Sequence, residues 1–132
     1  MTELIEEFLA HKRIAIVGAT DKPEKWGYKI LQRLLGLGYE VFPVHPTLAA
    51  IDGIPVFRSL RDIQPRPDAA NIVTPPAVTE ETLRMAKEIG LARVWMQPGA
   101  QSDAAIEYCK HNDIACIHHR CIMTETAKAA AN

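Results

Sequence analysis

No apolar run in this 132-residue chain approaches the roughly 18–20 residues needed to span a bilayer, which excludes a membrane-spanning helix. Met1 to Glu7 is acidic and amphipathic, the wrong character for a secretory signal, so none is expected there. Cysteine is scarce. The three thiols at 109, 116 and 121 are odd in number and not framework-spaced, which points to free cysteines in a reducing cytoplasm. Charge of one sign is lacking too, and a formal net charge of -1 gives no global reason to bind nucleic acid or a membrane surface. Repeats, low-complexity tracts and linkers are absent, so a single domain over residues 1–132 is expected.

What is present is ordinary globular composition, 48% hydrophobic and 23% charged, in a chain long enough for a core without disulfides. The organising stretch is Arg13-Ile14-Ala15-Ile16-Val17-Gly18-Ala19-Thr20. Its apolar run reads as a strand buried on both faces, stopped by a glycine that permits a tight turn. Before it, Leu4, Ile5, Phe8 and Leu9 share one face of a short helix. After it, helical spacing from Trp26 to Leu37 places Ile30, Leu31, Leu34 and Leu35 inward, with Gly38 as the expected cap. The second strand is read at Tyr39–Val44, the third at Asp68–Val73, the fourth at Arg93–Met96 and the fifth at Ile114–Ile117.

Between the second and third strands, Ile51 to Phe57 carries a turn signal, and Ser59 is expected to cap one helical turn over Leu60–Ile63. Helices are expected at about Val78–Ile89, after a Ser102 cap, and at the C-terminus. This alternation argues an α/β fold: a Rossmann-like, doubly wound, mainly parallel five-stranded sheet with helices on both faces. Right-handed crossovers lead to an expected strand order of 3-2-1-4-5.

Ligands of such sheets bind at the carboxyl ends of the strands. Gly18-Ala19-Thr20 stands where backbone N–H groups and a helix start can face a phosphate, with Lys22, Lys25 or Lys29 to offset charge. The competing reading is a glycine that only turns the chain beside solvated lysines. A dinucleotide fingerprint is incomplete: no glycine follows Gly18 until Gly27, and the second strand ends in Val44-His45-Pro46 where a ribose-binding acid would stand. Asp52 lies too far along to replace it, and there is no G-K-[ST] loop. His118-His119 with Cys116 and Cys121 suggests metal, but alternation along a strand points these side chains apart, so no metal site is expected. Cys121, past the fifth strand, is either a small packing residue or a thiol on the ligand side.

The strand ends in order are Gly18-Ala19-Thr20, Pro43-Val44-His45-Pro46, Thr74-Pro75-Pro76, Gln97-Pro98-Gly99 and Arg120-Cys121. Together, with Trp95-Met96-Gln97-Pro98-Gly99 the most distinctive, they resemble the CoA-binding protein family, stand-alone relatives of the first domain of the succinyl-CoA synthetase α subunit. The resemblance runs from Lys12 to about Glu125. It implies a Rossmann-like fold and coenzyme A or an acyl-CoA as ligand. In that reading Gly18, Ala19 and Thr20 hold the pyrophosphate, with Lys25 nearby. Val44, His45, Pro46, Thr74, Pro75 and Pro76 flank the adenosine, and Gln97, Pro98, Gly99 and Cys121 follow the pantetheine.

His45 stands where many members carry asparagine. The synthetase's phosphorylated histidine lies in a further domain that this sequence does not contain, so the expectation is a cytoplasmic binding module with no assigned reaction and an unknown protein partner. The alternatives are an NAD(P)-linked oxidoreductase and a nucleotide-dependent regulatory protein.

Overall fold

The computed structural model describes residues 1–131. The chain runs α1 (Thr2–Ala10), β1 (Arg13–Val17), α2 (Trp26–Gly36), β2 (Glu40–Val44), β3 (Ala50–Ile51), β4 (Ile54–Pro55), a 3₁₀ turn (Leu60–Asp62), β5 (Ala69–Ile72), α3 (Pro76–Ile89), β6 (Arg93–Met96), α4 (Asp103–His111), β7 (Ala115–Ile117) and α5 (Ile122–Ala131). Five parallel strands form the sheet in the order β2-β1-β5-β6-β7, and β3 and β4 make a separate small hairpin.

That order differs from the 3-2-1-4-5 expected from the sequence. Counting only the five long strands, it is 2-1-3-4-5, with the second strand at an edge rather than inside. Pro43 is the physical reason legible in hindsight. Proline has no N–H for a ladder and is confined to edges or irregular positions. Here its carbonyl accepts from Phe57 N at 2.9 Å on the outer side of β2, so the missing donor also faces outward. The link from β2 then passes beneath the sheet. Leu60 and Ile63 pack under β1 with Ala15 and Val17, and the chain emerges on the far side of β1 as β5.

Alternation along β1 divides the core. Ile14 and Ile16 join Ile5, Phe8, Ile30, Leu31, Leu34 and Ile122 on the side of α1, α2 and α5. Ala15 and Val17 join Leu83, Ala86, Ala105 and Cys109 on the side of α3 and α4. A strand covered on both faces must be apolar at every position, and Ile14, Ala15 and Ile16 are all 0% exposed.

Local signals set most boundaries. Gly38, at φ +91°, ends α2: its N–H donates to Leu35 O and Tyr39 N to Leu34 O, a Schellman closure. Leu35, expected inside, is 43% exposed, because it falls on the outer side of the helix stripe set by Ile30, Leu31 and Leu34. Asp52 and Gly53, both at positive φ, make the β3–β4 hairpin turn. Ser59 does not cap the 3₁₀ turn; its hydroxyl donates to the Asp62 carboxylate instead, at 3.2 Å. No helix among the described residues is long and apolar enough to cross a membrane.

Candidate functional site

All the βα turns open on the same edge of the sheet, and the helices after β1 and β5 start there without a side-chain cap. After β1 the chain turns at Gly18, φ +96°, where a Cβ would lie 2.4 Å from Val73 O. Gly27, in the first turn of α2, lies so close to Gly18 that a Cβ there would meet Gly18 O at 2.2 Å. The helix start is therefore drawn tightly onto the end of the strand. Gly27 does the close-packing work of the third glycine of a dinucleotide loop, but at a spacing that hides it from a linear motif.

The N-terminus of α2 has no side-chain cap and no acid in its first turn, and its cap position is Lys25. A cation at the positive end of a helix dipole is unfavourable by about 0.3–1 kcal/mol unless an anion joins it. Lys22 lies three residues before, and neither ammonium meets a carboxylate among the described residues. α3 likewise starts at Pro75-Pro76 without a side-chain cap or an early acid. The arrangement suits a bound anion.

Three clefts adjoin along this edge. The first, of about 400 Å³, is lined by Val44, His45, Pro46, Arg58, Val78 and Met85, among others, and reaches Gly18 and Thr74. The second, of about 410 Å³, shares Gly18, His45 and Thr74 with it and adds Ala19, Thr20, Lys22, Lys25, Trp26 and Pro75. The third is narrower, about 160 Å³, shares Trp26 with the second, and is closed by Ile30, Val73, Gln97, Pro98 and Cys121. The result is a groove with a broad end, a basic glycine-lined middle and a slender apolar end.

Its polar groups are partly committed to the protein. His45 Nδ1 accepts from Thr47 N and Leu48 N, both at 3.1 Å, as an asparagine oxygen would in a turn. That makes Nε2 the protonated nitrogen of the neutral ring. Gln97 is 3% exposed; its amide donates to Asn71 Oδ1 at 2.7 Å and accepts from Ile122 N at 2.9 Å. It therefore shapes the slender end rather than offering free donors. Trp95 Nε1 donates to Arg120 O at 2.9 Å, so Cys121 is held between two anchored neighbours, Arg120 and Ile122.

Three residues marked in the sequence do not line the groove: Pro76 is the first residue of α3, Gly99 N turns away to donate to Gln101 Oε1 at 2.9 Å, and Lys29 lies over the Trp26 ring. Asp52, set aside for ribose binding, accepts from Tyr28 and Gln32 and ties the hairpin to α2; the Asp52 hydrogen bond pushes the Tyr28 phenol above its ordinary pKa.

Sequence reasoning missed Trp26, Val73, Arg58 and the α3 residues Val78, Thr82 and Met85. Trp26 had a signal, being one helical turn before Ile30 on the same face. Since α2 extends past the end of β1, that face overhangs the groove and leaves Trp26 55% exposed, with Lys29 Nζ 4.8 Å from the ring centroid.

The cysteines divide by environment. Cys116 faces Cys109 in the core, and the hydrogen bond between them, with burial, pushes the Cys116 thiol far above its ordinary range. His118 meets His119 instead, Nδ1 to Nδ1 at 2.6 Å, and burial lowers its pKa. Among the described residues no group of three or more His, Cys, Asp or Glu side chains is arranged to hold a metal ion.

A family model described as a CoA binding domain matches residues 12–127. The uncharacterized protein YneT of Bacillus subtilis is 30% identical over 124 residues, covering 91% of this chain and 89% of its own length. The α subunit of an ADP-forming acetate–CoA ligase (II) from Pyrococcus furiosus is 29% identical over 92 residues, which are 69% of this chain but only 20% of that subunit. A solved structure of a hypothetical protein from Pyrococcus horikoshii superposes with a TM-score of 0.91 at 29% identity, covering 97% of this chain and 91% of that one.

Proposed function

The chain belongs to the CoA-binding domain family, and from that premise we propose that it binds coenzyme A or an acyl-CoA along the groove at the carboxyl ends of its strands. The observation that carries the reading is the groove's graded shape. A broad end of about 400 Å³ suits a nucleoside, a basic glycine turn suits a pyrophosphate, and an apolar end of about 160 Å³ suits a thin flexible arm. The adenosine lies against Val44, His45, Pro46 and Thr74, and the pyrophosphate against Gly18, Ala19, Thr20 and Lys25. The pantetheine passes Trp26, Gln97 and Pro98, and its thiol end comes to Cys121.

A dinucleotide carries a nucleoside at both ends, and the slender end does not suit a second one. The end of β2 also offers His45 in place of a carboxylate, which weakens the NAD(P) alternative. The acetate–CoA ligase subunit shares only a fifth of its length with this chain, so the inheritance proposed is the cofactor and not the ligation. A small cytoplasmic binding module, forming one domain and serving CoA chemistry done elsewhere, is the role these features support.

Thermal scanning tests the assignment. A ligand that binds only the folded state adds RT ln(1 + [L]/Kd), about 2.7 kcal/mol at a hundredfold excess over Kd. For a domain of this size that is a rise in Tm of several degrees. CoA is expected to give that rise, and NAD at the same concentration almost none. The opposite ranking would return the chain to the oxidoreductase alternative.

A further inference from the structure

Arg58 has no structural employment on the protein side. It follows Phe57, whose backbone is tied to β2 through Pro43 O and His45 N, so its position beside the broad cleft is fixed by the sheet. Its side chain lines that cleft with His45, Pro46 and Thr74. Among the described residues its guanidinium has no carboxylate or carbonyl partner, whereas Arg13, Arg61, Arg66 and Arg93 are each bonded to one. The remaining lining there is mostly apolar or neutral, including Val78 and Met85, and Glu81 on α3 is the one carboxylate. Among the described residues Arg58 is the cleft's only arginine or lysine, whereas the lysines Lys22 and Lys25 belong to the middle of the groove.

We propose that Arg58 is the specificity residue for a phosphate monoester on the ribose of the bound nucleotide, the 3′-phosphate that separates CoA from dephospho-CoA. The inference rests on the CoA reading above and deepens it. With the pyrophosphate at Gly18 and the adenine between Pro46 and the α3 side chains, the ribose lies between the Gly18 turn and Arg58. A ribose phosphate is then the only charged group of the ligand at that end. A planar guanidinium with no competing partner can take two of its oxygens at once. His45, whose Nδ1 is committed to the turn, leaves Nε2–H as a second donor on the same wall. Glu81 opposes an anion there, so the site is balanced to accept one phosphate rather than to collect anions generally.

The experiment is calorimetric titration of wild type, Arg58→Gln and Glu81→Gln with CoA and with dephospho-CoA. Wild type is expected to bind CoA about tenfold more tightly than dephospho-CoA, the scale of one charge-assisted bidentate contact. Arg58→Gln should erase that preference by weakening CoA alone, with dephospho-CoA affinity changed less than about twofold and the melting temperature of the free protein unchanged. Glu81→Gln should keep or widen the preference.

Equal wild-type affinity for the two ligands would overturn the proposal while leaving the CoA assignment standing. A preference that survives Arg58→Gln would do the same. A preference lost equally in Arg58→Gln and Glu81→Gln, with a lowered melting temperature in both, would make Arg58 a partner of Glu81 and overturn it as well. Failure of both ligands to bind wild type would remove the CoA reading itself and the proposal with it.

Discussion

Two βα turns leave the same edge of the sheet and are finished in opposite ways. The turn between β6 and α4 satisfies itself. Ser102 Oγ accepts from Ala105 N at 3.0 Å and donates to Glu80 at 2.8 Å, and Asp103 sits in the first helical turn where the dipole favours an acid. Even Gly99 N is taken, by Gln101.

The turn between β1 and α2 has no cap and no early acid, carries Lys25 at the cap position, and is squeezed between Gly18 and Gly27. The first arrangement is complete without a ligand. The second leaves the positive end of its helix uncapped beside a cation, the arrangement on which the proposed anion site rests. A helix start is thus a candidate binding element when its own sequence fails to cap it, more than when it merely follows a glycine.

Three substitutions would break or sharpen this contrast, and they differ in size. The largest effect is expected from Gly18→Ala. The new Cβ would lie 2.4 Å from Val73 O at a φ of +96°, so backbone strain and overlap act together and about 3 kcal/mol or more of stability should be lost. Chemical denaturation would measure it. A larger residue such as Gly18→Val tests folding before it tests ligand access, because the obstacle is the neighbouring backbone. A stability within about 1 kcal/mol of wild type would contradict the close approach.

Ser102→Ala should cost about 1 kcal/mol through the lost cap and leave CoA affinity unchanged. If affinity falls with stability, the β6–α4 turn is not self-contained and the contrast dissolves. The smallest expected change is the most specific. Lys25→Ser supplies a cap and removes a misplaced cation, so the free protein should gain about 0.5 kcal/mol while CoA binds several-fold more weakly. Stability and affinity moving in the same direction would show that Lys25 is not held in reserve for an anion.

Short-range rules were enough for much of this protein. The apolar run at Ile14–Val17, the turn at Gly18, the Gly38 and Gly90 helix ends and the Ser102 cap follow from side-chain periodicity, positive φ and orphaned backbone groups, all of which act within a few residues. The glycine, proline and polar residues at the strand ends were likewise legible as a set, because a parallel sheet brings those ends to one edge.

What the chain could not state locally is which distant pieces meet. The strand order depended on where the irregular link from Pro46 to Pro67 crosses the sheet; Pro43 marks β2 as an edge strand, and burial of Leu60 and Ile63 in the core shared with Ala15 and Val17 takes the link past β1. Gly27 against Gly18 O, Trp26 over the slender end, Gln97 between Asn71 and Ile122, and Arg58 beside His45 are all long-range juxtapositions. Each is enforced by burial of side chains elsewhere in the fold, so even where a residue carries a local signal, as Trp26 and Gln97 do, the sequence does not name its neighbour. Local chemistry chose the elements; the shared hydrophobic core chose their neighbours, and with them the shape of the groove.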